Sequence, residues 1–137
     1  MKNKQMKKSI DKVEVGIGAI FAFPLLLIVL YIVIEIVGSV ANHATTYIQT
    51  KGLTAYIEKS IEDVSIVDVY SFTGNTTGTG NHVECESKVT FNSDMSEDEV
   101  SQIFEKKYKY HVLEKEDGSY VITVHGDAPF RDNIEGH

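Results

Sequence analysis

Val15 to Ile34 is an uncharged run of 20 residues, VGIGAIFAFPLLLIVLYIVI. At about 1.5 Å of helical rise per residue it extends roughly 30 Å, the thickness of the hydrocarbon core of a bilayer. The run therefore divides the chain into a short head, a membrane helix and a polar tail. Pro24 is compatible with this reading, because a lone proline in a membrane helix is tolerated and can kink it.

The flanks set an orientation. Residues 1–12 carry five lysines, Lys2, Lys4, Lys7, Lys8 and Lys12, against Asp11 alone. Lys51 is the only cation between the run and Lys59. Short lysine-rich flanks stay in the cytoplasm, so the amino end is expected inside and the carboxyl end outside a cell membrane crossed once. A cleaved signal peptide competes with this reading, since Ser39-Val40-Ala41 has the small-x-small form of a cleavage site and would release a product starting at Asn42. The apolar run is longer than the usual 7–15 residues or so of a signal peptide, and Glu35 lies between it and that site. The expectation is a retained signal-anchor over residues 15–37, in contact with the lipid bilayer.

Two features of the anchor suggest further roles. Gly18 and Ala22 form a small-xxx-small pair, which would allow two helices to approach closely in a homo-oligomer. Glu35 precedes Ile36, Val37 and Val40. If the membrane ends near Ile34, its carboxylate sits among headgroups; if it extends further, Glu35 needs a partner or a wet cavity.

Composition bounds the remainder. Residues 36–137 hold eight Lys or Arg against 17 Asp or Glu, a net charge of −9 compared with −7 for the whole chain. Such a tail repels phosphate backbones and anionic surfaces, which argues against nucleic acid as a partner. Its length suffices for one modest core. Cys85 is the only cysteine, so an intramolecular disulfide and a multi-cysteine metal cluster are both ruled out. It falls among Val83, Val89 and Phe91 in an alternating segment, and a buried thiol is expected.

Along the tail, Tyr56, Ile57, Ser60, Ile61 and Val64 recur at helical spacing, making 38–63 a membrane-proximal helix or stalk. Gly52 is expected to loosen or break it. Val64 to Phe72 is rich in β-branched and aromatic residues and reads as a strand. Residues 74–81, GNTTGTGN, form a connecting loop, because the glycines lack the Lys-Ser/Thr and the helix of a phosphate cradle. Asn75-Thr76-Thr77 matches a glycosylation acceptor. Residues 82–91 alternate, with Val83, Cys85, Ser87, Val89 and Phe91 on one face and His82, Glu84, Glu86, Lys88 and Thr90 on the other.

Ser96 and Glu99 have the spacing of a capping box, flanked by Met95 and Val100 as a hydrophobic staple. Val100, Ile103, Phe104 and Tyr108 supply the apolar stripe of that helix, and Lys106 and Lys107 suit its end. Tyr108 to Lys115 and Ser119 to Gly126 flank Asp117-Gly118, a strong hairpin signal. A two-residue turn there does not segregate the apolar residues to one side, so either both faces are partly covered or the turn is longer. The irregular tail 128–137 contains Pro129, which argues against a continuing central strand, and either docks through Phe130 and Ile134 or stays loose.

The predicted fold is α+β. A single N-terminal transmembrane helix precedes a helix-β-β-α-β-β arrangement, the helix at 38–63 and a small α+β domain over 64–127, with a mostly antiparallel four-stranded sheet. His82, Glu84 and Glu86 share a strand face and would need His111, His125 or His137 to complete a zinc site. No G-x-S-x-G or H-E-x-x-H motif occurs. The sequence reading therefore assigns no catalytic, cofactor-binding or metal residues. It expects a non-enzymatic extracytoplasmic binding or accessory module whose partner is another membrane or envelope protein. The alternatives are a small metal-assisted envelope enzyme, and an assembly or pore component acting through the anchor.

Overall fold

The computed structural model describes Lys2–His137, with side chains from Ile20 onward. The basic head and Gly18 lie outside the residues whose side chains are described, as does the Gly18/Ala22 pairing. The fold is α+β, in the order α1 (Lys2–Ser60), β1 (Ser65–Gly74), β2 (Glu84–Asn92), α2 (Glu97–Glu105), β3 (His111–Glu116), β4 (Ser119–Asp127) and a 3-10 turn at Ile134–Gly136. This is the helix-β-β-α-β-β order read from the sequence. The chain divides into two compact units, Met1–Val37 and Gly38–His137.

In the first unit every large apolar side chain from Ile20 to Val37 is 49–73% exposed. By length and composition α1 is long and apolar enough to cross a membrane, as an anchor or a signal sequence would be. Glu35 shares a side-chain hydrogen bond with Tyr31, one turn earlier.

In the second unit the sheet is fully antiparallel, with strand order β1-β2-β4-β3. The inward set read from the β2 alternation is confirmed: Val83, Cys85, Ser87, Val89 and Phe91 are completely buried. Register places Tyr120, Ile122 and Val124 of β4 beside Phe91, Val89 and Ser87 on that same face. Leu53, Ile57 and Ile61 of α1 and Val100 and Phe104 of α2 close over it, forming one core. Phe91 stacks on Tyr120 at 5.5 Å between ring centroids.

The capping box is present. Ser96 accepts from the Glu99 amide, and the Glu99 carboxylate accepts from Ser96. Both lysines stand at the helix end: α2 runs to Glu105 with Lys106 as its C-cap, the Lys107 amide donates to Phe104 O at 3.0 Å, and Lys107 Nζ lies 4.1 Å from the centre of the Tyr56 ring. β3 starts three residues later than read, because the Tyr108 amide still donates to Phe104 O at 2.8 Å, which belongs to the helix end. The turn itself has two residues. Asp117 and Gly118 both have positive φ, and Glu116 pairs with Ser119. β4 is therefore covered on both faces, since Val121 and Thr123 on the opposite side are buried as well.

Gly52 does not break α1. A glycine in a helix costs about 1 kcal/mol, less than the burial of Leu53 and Ile57 beside it returns. Residues 38–60 thus form the first packed helix of the domain. The tail also departs from expectation. Phe130 and Ile134 are exposed, and the segment is held through polar groups instead. The Asn42 amide donates to Phe130 O at 3.0 Å and accepts from Phe130 N at 2.9 Å. Val83 N donates to Arg131 O at 2.8 Å. Gly136 passes so close to the His82 backbone that a Cβ there would lie 2.8 Å from it.

Candidate functional site

The residues read as a metal-ligating face do not come together as one group. His82 precedes β2 and pairs with Glu84, Nε2 to Oε1 at 3.1 Å. Glu86 lies opposite His125 across the β2–β4 ladder, 3.7 Å from its Nδ1. His111 sits elsewhere, with Nδ1 2.8 Å from Tyr108 O and its ring against Phe104. Each carboxylate therefore has its own imidazole. Among the described residues no group of three or more His, Cys, Asp or Glu side chains is arranged to hold a metal ion. The Thr76 hydroxyl, and after it His82 and His125, hold the Glu84 carboxyl below the usual carboxylate range, although partial burial opposes them. A shallow cavity of about 250 Å³ lies beside this face, lined by Glu84, Tyr110, His125, Gly126 and Asp127.

A second polar cluster was not foreseen. Ser39 Oγ donates to Glu135 Oε1 at 2.7 Å, and His43 Nε2 meets the same oxygen at 2.7 Å. A nucleophilic relay places the serine on the imidazole. Here the carboxylate stands between them, so the cluster fastens the C-terminal turn to α1. Asn75 of the glycosylation-type triplet is also engaged, its amide donating to Gly80 O at 2.6 Å. Cys85 is a buried free thiol, as expected.

The third feature is the edge of the sheet at β1. β1 pairs with β2 on one side and has no strand partner on the other among the described residues. Its register with β2 places Val69, Ser71 and Thr73 on the helix side of the sheet, and Asp68, Tyr70 and Phe72 on the other. Val67, Val69, Tyr70 and Phe72 are all 39–57% exposed. A register shift between Ile66 and Asp68 marks a bulge near the start of the strand. Beside the strand, on the helix side, an open groove of about 350 Å³ is lined by Tyr47, Thr50, Lys51, Thr54, Val69 and Ser71.

The groove lies between α1 and β1 where α1 is fixed mainly over β2 and β4, with Thr46 reaching β1 only near its end, at Thr73. Thr50 Oγ1 meets Ser87 Oγ at 2.7 Å, and Gln49 Nε2 lies 3.1 Å from Cys85 O and 3.2 Å from Val124 O. Gly126 gives the Gln49 amide its room, since a Cβ there would overlap it. Sequence reasoning missed both the polar seam and the open edge. The available signal for the first was the four-residue spacing of Asn42, Thr46 and Thr50. For the second it was a strand with apolar residues at both alternating parities.

No protein family, curated protein or solved structure matches this chain.

Proposed function

We propose that this chain is a single-pass membrane protein whose Gly38–His137 unit is an extracytoplasmic, non-enzymatic binding or accessory module. The observation that carries the reading is the exposure of Ile20–Val37. Among the described residues these side chains are uncovered, and a contiguous apolar surface of this extent belongs in lipid or against another protein. The second unit has its own closed core and needs no help from the first to bury apolar area. The lysines of the head favour an inside amino end. Retention is supported by the setting of Ser39-Val40-Ala41, which lies within α1 with Ser39 bonded to Glu135, where an extended cleavage substrate would have to unwind. The binding-module reading rests on the contrast between the self-paired imidazole–carboxylate groups and the open edge at β1.

The test is to add protease outside intact cells and to extract the membranes with alkaline carbonate. The domain should be degraded from outside, and the residual amino-terminal fragment should stay with the membranes. A mature chain starting at Asn42, or a domain protected until lysis, contradicts one half of the proposal or the other.

A further inference from the structure

The two edges of the sheet are built differently. β3, HVLEKE, presents Glu114, Lys115 and Glu116, charges of the kind that keep an edge from pairing with other strands. β1, SIVDVYSFTG, has ten residues, one charge at Asp68, no lysine and no proline. Its guards are Asp68 and the bulge beside it, both near the start of the strand. Beyond that point the strand is regular, and through Phe72 it has exposed apolar side chains on both faces and the groove alongside; Thr73 is bonded to Thr46 and Gly74 is buried near the Glu135 carbonyl. We infer that β1 accepts an added strand: an extended segment of a partner protein, alternating apolar and polar, with basic residues at the end that meets Ser65.

The charge of the edge selects this occupant. The end of α1 and the turn into β1 carry Glu58, Glu62 and Asp63, and Asp68 follows within the strand, against Lys59 there and Lys51 in the groove, four acids to two cations. The opposite end, Gly74 and the loop 75–81, carries no charge of its own, and the carboxylate beside it, Glu84, is already taken up by Thr76 and His82. A partner strand running antiparallel to β1 therefore gains most from Lys or Arg at its carboxyl end. Main-chain bonds to the free edge supply affinity, and the side chains directed toward the helices enter the groove and supply selectivity.

A second copy of the chain fits this edge poorly. It carries the same excess of acid, and an antiparallel β1–β1 pair sets the uncharged end of one copy against the acidic end of the other. Such a pair also turns the two copies head to tail. α1 runs in the same direction as β2, with Asn42 beside Cys85 and Ile57 in the core with Phe91. The two chains would then enter their domains at opposite ends of the paired sheet, which does not suit two copies held in one membrane. This last argument rests on the anchored reading proposed above.

The test uses the full chain in lipid nanodiscs and short synthetic peptides alternating valine and threonine. One peptide ends in paired lysines, one begins with them, and one ends in paired glutamates. The peptide with carboxyl-terminal lysines should bind, about tenfold more tightly than the glutamate peptide. Val67→Lys/Val69→Lys, which places guards on β1 at two exposed positions, should weaken binding at least about tenfold, while Val112→Lys on β3 should leave it unchanged. Hydrogen exchange on the native chain provides a readout that needs no variant: the peptide should slow β1 amides and leave β3 amides unaffected. Equal binding by the double-lysine variant, a preference for the glutamate peptide, or no binding at all overturns the inference. Self-association of the chain that the double-lysine change abolishes would overturn it in favour of a second copy. Binding as stated by a chain that carbonate strips from membranes would leave the strand site standing and remove the anchored reading. The reverse result would leave the anchor and remove the strand site.

Discussion

Two stretches of α1 obey opposite rules. From Ile20 to Val37 the apolar side chains face outward and are exposed. From Gly38 to Ser60 polar side chains face inward: Asn42, Thr46 and Thr50 are buried, one turn apart, with Leu53 and Ile57 continuing the same stripe. Each buried polar group has a partner. Asn42 is bonded to the Phe130 backbone, and Thr46 Oγ1 meets Thr73 Oγ1 at 2.6 Å. Thr50 Oγ1 meets Ser87 Oγ and also donates to Thr46 O at 2.9 Å. The difference shows that hydropathy alone does not tell which side of a helix is inside. In the first stretch only lipid or protein satisfies the surface. In the second, hydrogen bonds to the sheet and the C-terminal tail make polar burial favourable.

The largest expected effect breaks the first stretch. Leu27→Arg together with Leu30→Arg should cost about 5–7 kcal/mol of insertion free energy, at about 2.5–3.5 per central arginine, and carbonate extraction should then release the chain. The same pair of changes at Tyr47 and Ile48, both exposed on the second stretch, should leave the chain in the membrane pellet.

The next effect concerns the apolar end of the second stretch. Leu53→Ala should lower the stability of the domain by about 3 kcal/mol, since the side chain is fully buried in the core, and Phe104→Ala across from it by about 3–4. Val40→Ala, at an exposed position, should change melting by less than about 0.5 kcal/mol. Equal melting of all three would mean that α1 does not pack as described.

A smaller effect separates polar from apolar burial. Asn42→Ala leaves the Phe130 N–H and C=O without their side-chain partner and should cost about 2 kcal/mol. Proteolysis should then begin within 128–137. Cleavage there with unchanged kinetics would show that the tail is held by something other than Asn42.

The smallest effect comes from α2, a helix secured by local bonds. Ser96→Ala should cost about 1 kcal/mol in urea unfolding. The Ser96 hydroxyl and then its backbone N–H hold the Glu99 carboxyl below its ordinary range. The associated stability is present above the ordinary carboxylate pKa and is lost as pH falls through the lowered folded value. Ser96→Ala should therefore flatten the acid side of the stability profile as well as lower the plateau.

The sequence made visible what local patterning controls. The β2 alternation, the Ser96/Glu99 cap and the Asp117-Gly118 turn each depend on residues a few positions apart, and each is in place. What stayed hidden depends on distant partners. Asn42, Thr46 and Thr50 look like a wet face until Phe130, Thr73 and Ser87 arrive from sequence distances of 27 to 88 residues. Phe130 and Ile134 look like anchors of the tail, but main-chain groups near them do the holding. His82, Glu84 and Glu86 looked like one face in the sequence, but Glu84 meets His82 and Glu86 meets His125, because β4 places His125 opposite Glu86. The open edge at β1 could not be seen either, since strand order is a property of the whole sheet.

Cysteine scanning along α1 in intact cells, with a membrane-impermeant maleimide, tests the central contrast most directly. Cys85 is buried, so the native thiol provides a silent background. Single cysteines at Leu27 and Leu30 should resist labelling, because a thiol in hydrocarbon does not ionise. Cysteines at Tyr47 and Ile48 should label from outside, and one at Thr50 should resist labelling while the domain is folded. Rapid labelling at Leu27 and Leu30, or protection of Tyr47 and Ile48 until the cells are lysed, would contradict the account.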